Sequence, residues 1–349
     1  MTTVLEVVPN SVVDSRGVPR FGTFRGELPA VDIGGLRDLF QPTRWQWGIR
    51  RKRWHFSMIA TDEVLLCHAV VDAGFVGQSF IYAVDLYEER AVMSQRFVGA
   101  PGVQATVNDH PGGGHRSSFR APGARLDLRR GEGLSKYRWR GRLHPLIHRE
   151  PGGVRLDATI AAPRRPHALT VISPVESGLV NITQKWSALA AAGGLRVGSR
   201  SYQLEGGLAG TDYTQGILAR RTRWRWAHGL GRLADGRAVG LNLVAGFNEG
   251  RDDINENALW VGEELIPLAR AEFEYDPDQP EAPWGLRTQD GVVDLWFKPY
   301  YVFEDRHYWR VVNGHFVQPA GRFEGTIEID GVRRGVSLVG VTEDQDIYW

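Results

Sequence analysis

The chain has 349 residues, of which 42% are apolar and 24% charged, a composition typical of soluble folded proteins that excludes disordered and fibrous classes. Its 42 Lys and Arg residues nearly balance 41 Asp and Glu residues. This balance favours neither nucleic acid nor an anionic membrane as a partner. The length favours two domains, because a single hydrophobic core usually stops growing at about 250 to 300 residues.

The N-terminus carries no basic segment followed by an apolar one, and no run of about 18 apolar residues occurs, so secretion and membrane spanning are disfavoured. We therefore predict a cytoplasmic protein without a transmembrane segment. The single cysteine, Cys67, excludes an internal disulfide and disfavours a thiolate metal site. We expect it to be a buried thiol.

Short runs with period-two alternation, bounded by glycine, proline or Asp-Gly, predict strands and hairpins along the whole chain. The clearest predicted strands are residues 54–59, 79–84, 239–244 and 292–297, and Asp-Gly turns are predicted at 235–236, 290–291 and 330–331. Only residues 186–192 favour a helix, and they could equally form a loop. The 42 glycines and 12 tryptophans also suit tight turns and aromatic-lined strands.

Two stretches resemble each other in the order of their motifs. The first runs from Trp45-Gln46-Trp47 through Ala73-Gly74-Phe75 to residues 82–88. The second runs from Trp224-Arg225-Trp226 through Ala245-Gly246-Phe247 to residues 259–264. An internal duplication with diverged loops would produce such a pair. The proline-rich residues 162–166 then mark the seam, which predicts domains at 1–165 and 166–349.

Residues 211–216, 221–227, 240–243 and 255–261 resemble a bacterial family known only as a domain of unknown function. That family is similar in architecture to double lipocalin-like proteins, which include carotenoid hydratases, fungal flavonoid hydratases and some pericyclase-type cyclases. The resemblance implies an all-β, calycin-like fold of two antiparallel lipocalin-like barrels or strongly curved sheets with little helix. It also implies a lipophilic small molecule inside or between the barrels, but no catalytic assignment carries over residue by residue.

The stretch from Arg221 to His228 alternates between two faces of a predicted strand. Trp224 and Trp226 share one face, about 7 Å apart, and in a closed barrel we expect that face to point inward. They could simply fill the core, or they could form an aromatic wall for a flat or polyene ligand or for a developing carbocation. Further predicted ligand-binding residues are Trp45, Trp47, Asn242, Asn255 and Asn257.

Two carboxylates are candidates for the catalytic acid. Asp212 could hold a raised pKa in an apolar cavity and protonate a substrate, or it could only bond its own backbone in a turn. Glu256, held by its neighbouring amides at a cavity mouth, could act as acid or base, or it could be a solvated loop residue. Tyr213 and His228 are the predicted orienting partners.

No metal or cofactor site is predicted. Pro145 argues against a helix that would join His144 and His148 as ligands, and on a strand their side chains would lie about 13 Å apart. Phosphate-loop, nucleophile-elbow and zinc-protease motifs are absent from the sequence.

These features lead to the hypothesis of a cofactor-independent enzyme, a lyase of the hydratase type or an isomerase or cyclase, which protonates a lipophilic molecule in an apolar barrel cavity. A non-catalytic lipophile carrier is the alternative, and a glycan-active protein is a further one. A buried carboxylate without an ionic partner in the pocket would favour catalysis, whereas a pocket with no ionisable group would favour carriage.

Overall fold

The computed structural model describes residues 4–147, 151–164, 167–175, 179–247, 254–308 and 313–349. Arg165 and Pro166 of the predicted seam, and His148, lie outside these residues. The fold is nearly all β, as predicted, in two curled, barrel-like sheets. Within the described residues no helix has the length and apolar character needed to cross a membrane.

Among the described residues the first sheet contains fifteen strands. They are β1 (Glu6–Val7), β2 (Gly22–Arg25), β3 (Arg51–Ala60), β4 (Val64–Asp72), β5 (Gly77–Asp85), β6 (Arg90–Gly99), β7 (Ala105–Val107), β8 (Arg116–Ala121), β9 (Ala124–Arg129), β10 (Lys136–Leu143), β11 (Val154–Ala161), β12 (Leu169–Val175), β13 (Leu179–Val197), β14 (Arg200–Gln203) and β15 (Gly207–Ile217).

The second sheet contains nine strands within the same described ranges. They are β16 (Arg221–Arg232), β17 (Ala238–Ala245), β18 (Ala258–Val261), β19 (Glu264–Pro267), β20 (Ala271–Glu274), β21 (Trp284–Thr288), β22 (Val293–Tyr308), β23 (Asn313–Ile329) and β24 (Val332–Tyr348). A short 3-10 helix at Asp38–Phe40 and helix α1 at Arg44–Ile49 precede β3.

The two sheets share one strand order. The first sheet reads β6-β5-β4-β3-β15-β13-β11-β10-β9-β8-β7, and its first nine strands correspond to the second sheet, which reads β19-β18-β17-β16-β24-β23-β22-β21-β20. In each, a four-strand meander meets the last long strand of its own sheet. This shared order is what an internal duplication predicts.

The structure changes which residues of the first half correspond to Trp224-Arg225-Trp226 of the second half. Trp45 and Trp47 lie on helix α1, whose start at Thr43 has a capping box with Gln46. In the first sheet Trp54-His55-Phe56 of β3 therefore takes the place that Trp224-Arg225-Trp226 takes on β16. The two Ala-Gly-Phe motifs do correspond, because both follow the second strand of a meander, and Gly74 and Gly246 both have positive φ.

The change of sheet falls between β15 and β16, at residues 218–220, and not at residues 162–166. The proline-rich stretch joins β11 to β12, and β12 pairs with β13 and β2 inside the first sheet. The proline-rich stretch is thus a connection between two strands of one sheet and not a boundary between domains. The strands between 166 and 217 belong with the N-terminal half.

The three predicted Asp-Gly turns all join consecutive strands, but only residues 330–331 have positive φ at both positions. The helical interpretation of residues 186–192 is wrong. Asp330 and Gly331 both have positive φ between β23 and β24, as a two-residue primed turn requires. Residues 186–192 lie in β13, where the pairing register shifts between Trp186 and Leu189 and Ala188 has a φ of 58°. A β-bulge, not a helix, accommodates this alanine-rich run.

Four apolar clusters organise the described part of the core, and the smallest surrounds Trp260. One fills the first barrel around residues such as Trp139 and Leu126, and another fills the second barrel around Trp284 and Phe323. The third lies between the sheets and includes Trp226. This contact between the outer faces of β3 and β16 positions the candidate site.

Candidate active site

A pocket of about 1090 Å³, counting its open mouth, lies between the two sheets. Both sheets supply aromatic rings to it, among them Trp54, Phe56, Phe80, Trp224, Trp226 and Phe316. Polar side chains face the same space, among them Lys185, Asp212, Glu256, Gln318 and Glu343, and the paired Arg96 and Asp305 also line it. A largely apolar cavity with a few convergent polar groups is the usual form of a small-molecule site.

Alternation along β3 and β16 builds the aromatic wall. The indoles of Trp54 and Trp224 stack across the two sheets with ring centroids 5.5 Å apart. Phe56 and Trp226 meet edge to face at 5.1 Å. Because both pairs come from corresponding positions, the pocket lies on the junction of the two halves and not inside either barrel.

Lys185 on β13 contacts both predicted carboxylates. Its ammonium forms a short ion pair with Asp212 on β15 and lies 3.4 Å from a carboxylate oxygen of Glu256. The Thr183 hydroxyl donates to Asp212 at 3.1 Å, and Thr214 lies 3.3 Å from the same oxygen. These contacts give Asp212 an ionic partner and two hydroxyl neighbours.

Burial has opposite effects on the pKa values of Lys185 and Glu256. Burial alone would lower the pKa of Lys185, but the Asp212 and Glu256 carboxylates outweigh it and raise that pKa above its usual value. Burial raises the pKa of Glu256, and the Lys185 charge only partly offsets the effect. Lys185 therefore remains a cation facing the pocket, 5.4 Å from the Trp226 ring centroid.

Glu343 on β24 is a buried carboxyl group on the other side of the pocket. One oxygen accepts a short hydrogen bond from the Trp224 indole, and the other accepts from the Gln318 amide at 2.8 Å. The Tyr82 hydroxyl donates to the Gln318 oxygen at 2.6 Å and so fixes the amide. Among the described residues no cation lies within ion-pair distance of Glu343. Burial raises the pKa of Glu343 to about 7.

The arrangement combines a permanent cation with a carboxyl group that is partly protonated near neutral pH. Lys185 can polarise a carbonyl group or stabilise a developing oxyanion. Glu343 can give or take a proton, since a group with a pKa near the working pH suits general acid and base catalysis. No group of three or more His, Cys, Asp and Glu side chains in the described ranges is arranged to hold a metal.

The family model described as "Domain of unknown function (DUF2804)" matches residues 5–349. The chain belongs to this family. No curated protein matches the sequence significantly.

Solved structures show the DUF2804 chain to have the double-barrel lipocalin-like fold. A structure of CghA with Sch210972 matches with a TM-score of 0.51 and 12% identity, covering 98% of this chain and 97% of that one. CghA alone matches with a TM-score of 0.50 and 12% identity, covering 95% and 98%. Kievitone hydratase from Nectria haematococca matches with a TM-score of 0.49 and 14% identity, covering 99% and 98%.

Four of the predicted site residues of this DUF2804 chain meet at the pocket. They are Asp212, Glu256, Trp224 and Trp226. Asp212 lies within β15, so its interpretation as a turn residue is wrong. Glu256 precedes β18 with a buried side chain, so its interpretation as a solvated loop residue is wrong too.

Tyr213 and His228 lie apart from the pocket. Because neighbouring residues on a strand point to opposite faces, Tyr213 faces into the first barrel, where its hydroxyl donates to the Asn108 carbonyl at 3.0 Å. His228 is buried against the edge of Trp226, and its ring bonds the Ser187 hydroxyl at 2.8 Å. Burial lowers the pKa of His228 to about 3.

The three asparagines predicted to bind a ligand instead form hydrogen bonds within the protein around the pocket. Asn242 accepts from the Trp226 indole at 2.7 Å and donates to the Glu256 carbonyl at 2.6 Å. Asn257 accepts from the Val244 amide, and Asn255 accepts from the Asn257 amide. These contacts fix Trp226 and the loop of Glu256, so the three amides shape the site from behind it.

Trp45 and Trp47 do not contribute to the pocket. Trp45 is 51% exposed on helix α1 and packs under Arg50, while Trp47 packs under Arg51. Trp54, which the sequence interpretation used only as a strand residue, takes the place expected for them. The expectation that Trp224 and Trp226 point into a barrel is also wrong, because the interior face of β16 carries Ala227.

Glu343, Gln318 and Lys185 are the functional candidates that sequence reasoning missed. Glu343 lies in the acidic run 343–346, which reads as a solvated surface. Alternation gave a signal, because Glu343, Gln345 and Ile347 share one face of β24 and all line the pocket. No sequence signal joins Glu343 to Gln318, which lies on the neighbouring strand.

Proposed function

We propose that this protein is an enzyme of the hydratase, isomerase or cyclase type that acts on a lipophilic small molecule between its two barrels. Glu343 transfers the proton and Lys185 binds the electron-rich oxygen of the substrate. The proposal is cofactor-independent, since both functions come from side chains. The observation that carries it is a buried carboxyl group without an ionic partner among the described residues, facing an aromatic pocket.

Glu343 is a better proton donor than the two carboxylates proposed from the sequence. The Asp212 oxygens already contact the Lys185 ammonium and two threonine hydroxyls. Glu256 shares the same cation at 3.4 Å. Asp212 and Glu256 are then positioning residues, because they fix the ammonium that faces the substrate.

The position of Lys185 limits the kinds of substrate that suit the pocket. Its ammonium lies over the Trp226 ring, so that face already stabilises a cation and is poorly placed to stabilise a second one. A substrate that develops negative charge on oxygen, such as an unsaturated ketone or a phenol, suits the site better than one that develops a carbocation. Trp54 and Trp224 supply the apolar surface for its hydrocarbon part.

The lipophile carrier is the second candidate, and the apolar lining of the pocket favours it equally well. The two candidates differ in one respect, because only an enzyme moves protons between solvent and the bound molecule. Proton exchange therefore separates them even while the natural substrate is unidentified.

The test is incubation of the protein in deuterated water with a panel of lipophilic unsaturated ketones and phenols, followed by mass spectrometry. We expect at least one compound to gain deuterium at carbon faster than it does without the protein, or to change its formula by addition of water. Glu343→Gln preserves the shape and the hydrogen-bonding oxygen but not the acid, so it should slow this conversion by about 10² to 10⁴-fold. Binding of the same compound, followed by quenching of tryptophan fluorescence, should be retained.

Glu324→Gln is the matched control, because Glu324 is an exposed glutamate on the neighbouring strand β23. It should leave conversion and binding unchanged. If compounds bind but none exchanges or converts, the protein is a carrier. If Glu343→Gln converts as fast as the unaltered protein, Glu343 is not the acid and Glu256 becomes the next candidate.

A further inference from the structure

The outer face of the first sheet carries nine arginines on strands β8 to β13, which we term the arginine face. They are Arg116, Arg120, Arg125, Arg129, Arg138, Arg140, Arg142, Arg155 and Arg196. Strand β10 shows the pattern best, since its residues alternate strictly between exposed and buried. Its arginines point outward while Tyr137 and Trp139 fill the barrel.

Strand register places these like charges directly opposite one another. One row crosses five neighbouring strands, in the order Arg120, Arg125, Arg142, Arg155, Arg196. At about 4.8 Å between strands the row spans about 19 Å. A second row contains Arg116, Arg129 and Arg138.

Two aspartates, Asp127 and Asp157, lie between the rows and leave the face with a net charge of +7. The whole chain has a net charge of +1, so positive charge is concentrated on this face while the total remains balanced. Asp127 and Asp157 pair with only three of the nine arginines. The other six arginines form no ion pair within the described part of the chain.

Directly opposed like charges destabilise a sheet, so folding does not account for these rows. A partner that supplies negative charge does account for them. Arginine in particular binds phosphate through two parallel hydrogen bonds. The chemistry that the face would recognise is a dense array of phosphate groups.

Exposed leucines stand at both ends of the central strand β10. Leu134, in the turn before it, is 55% exposed, and Leu146, in the turn after it, is 87% exposed. Apolar side chains beside a basic surface are typical of proteins that insert into the headgroup region of a bilayer. They give no advantage on a nucleic acid. Tyr202 is the one aromatic residue that lines the described groove of these arginines, and it is buried, so it offers bases no stacking surface.

We propose that the arginine face binds the protein to an anionic phospholipid bilayer. The arginines contact lipid phosphates, and Leu134 and Leu146 enter the boundary between headgroups and acyl chains. This proposal differs from the expectation from net charge, which did not favour an anionic membrane as a partner. It does not depend on the catalytic proposal, because the face lies outside the pocket.

The test is flotation of the full chain with vesicles of phosphatidylcholine, with and without phosphatidylglycerol. We expect binding only with phosphatidylglycerol, and we expect added salt to weaken it. The triple variant Arg125→Gln, Arg142→Gln, Arg155→Gln should lower the partition coefficient on the order of a hundredfold, since three basic contacts are lost. Leu146→Ser should lower it less, by roughly tenfold or under.

The matched control is Arg232→Gln, Arg287→Gln, Arg333→Gln, which removes three exposed arginines from the second sheet. It should bind vesicles as the unaltered protein does. The row variant should also melt at the same or a higher temperature, because it relieves repulsion.

Three outcomes would overturn the proposal. They are no binding to phosphatidylglycerol vesicles, an equal loss in the control triple, and tighter binding to a short DNA duplex that the row variant abolishes.

Discussion

Two buried carboxyl groups occupy corresponding positions in the two sheets and have different partners. Asp212 on β15 stands opposite Phe56 of β3, and Glu343 on β24 stands opposite Trp226 of β16. The strand on the far side of Asp212 provides a cation, whereas the strand on the far side of Glu343 provides the neutral amide of Gln318. We propose that one ancestral strand pair diverged into these two.

The difference shows how a partner selects the protonation state of a buried acid. An ammonium group compensates the charge of a carboxylate in an apolar site, and the Lys185 ammonium pairs with Asp212 in this way. An amide and an indole donate hydrogen bonds but supply no net charge, so burial dominates and the pKa of Glu343 rises to about 7. One pocket thereby holds a fixed charge and a titrating acid.

The largest expected effect comes from removing the partner in each half. Lys185→Met leaves Asp212 and Glu256 buried without a cation and should cost about 3 to 5 kcal/mol in the free energy of unfolding. Gln318→Met removes one donor from Glu343 and should cost about 1 to 3 kcal/mol. Urea unfolding at neutral pH measures both. Equal costs would contradict the assignment of a charged and a neutral site.

Acid should destabilise the first barrel more than the second. His55, His68 and His115 are buried in the first barrel, and burial lowers the pKa of each below 6.5, to about 3 for His68. Among the described residues the second sheet contributes one such histidine, His228 on β16, whose pKa burial lowers to about 3. Because the unfolded chain binds protons that the folded one does not, stability is full above pH 6.5 and falls as the pH drops towards 3.

A histidine variant measures this contribution. His68→Phe keeps a ring against Trp139, which it stacks on at 5.6 Å. It should reduce the loss of stability below pH 6.5 by up to about 1.4 kcal/mol per pH unit. His144→Phe, at an exposed position, is the control and should leave the slope unchanged. An unchanged slope in His68→Phe would show that His68 is not neutral in the folded protein.

Much of the fold could be predicted from local pattern, because alternation and Asp-Gly turns are local signals. The sequence could not predict which face of β16 packs on the other sheet. Trp226 and Ala227 are both buried, and alternation does not show which of them faces the barrel interior and which faces the other sheet. The Trp45-Gln46-Trp47 alternation suggested a strand, although Thr43 and Gln46 carry a helix capping signal.

The candidate site could be predicted only in part, because some of its contacts join residues that are far apart in the sequence. Asp212, Glu256 and the tryptophans stood out through their residue type and neighbours. Gln318 and Glu343 meet only through the pairing of two long strands, and the strength of an acid in a pocket depends on such partners. The local sequence of Glu343, an acidic run, indicated solvent and not a buried wall.

A smaller effect should follow from making the two halves alike. Gln318→Lys places a cation beside Glu343, as Lys185 does beside Asp212, and should lower the pKa of Glu343 by one unit or more. Trp224 reports it, because its indole donates to Glu343 and its fluorescence should follow the titration. Gln318→Met, which adds no charge, is the control and should not lower that pKa. A midpoint that stays near 7 in Gln318→Lys would contradict the role assigned to the partner.

The smallest effect is expected for Trp224→Phe. It keeps the apolar surface against Trp54 but removes the indole donor, so the pKa of Glu343 should rise by less than one unit. The pH profile of proton exchange would show the shift. Trp296→Phe, at a half-exposed indole on β22, should leave the profile unchanged. A profile displaced towards lower pH in Trp224→Phe would contradict the hydrogen bond.

The central claim is that Glu343 is a buried acid poised near neutral pH, and carboxyl ¹³C NMR of glutamate-labelled protein tests it most directly. The signal that is lost in Glu343→Gln belongs to Glu343. We predict that this signal titrates with a midpoint near 7, in contrast to the ordinary glutamate value of 4.5. A midpoint at or below 4.5 would contradict the account, because the group would then be a permanent carboxylate with no proton to deliver.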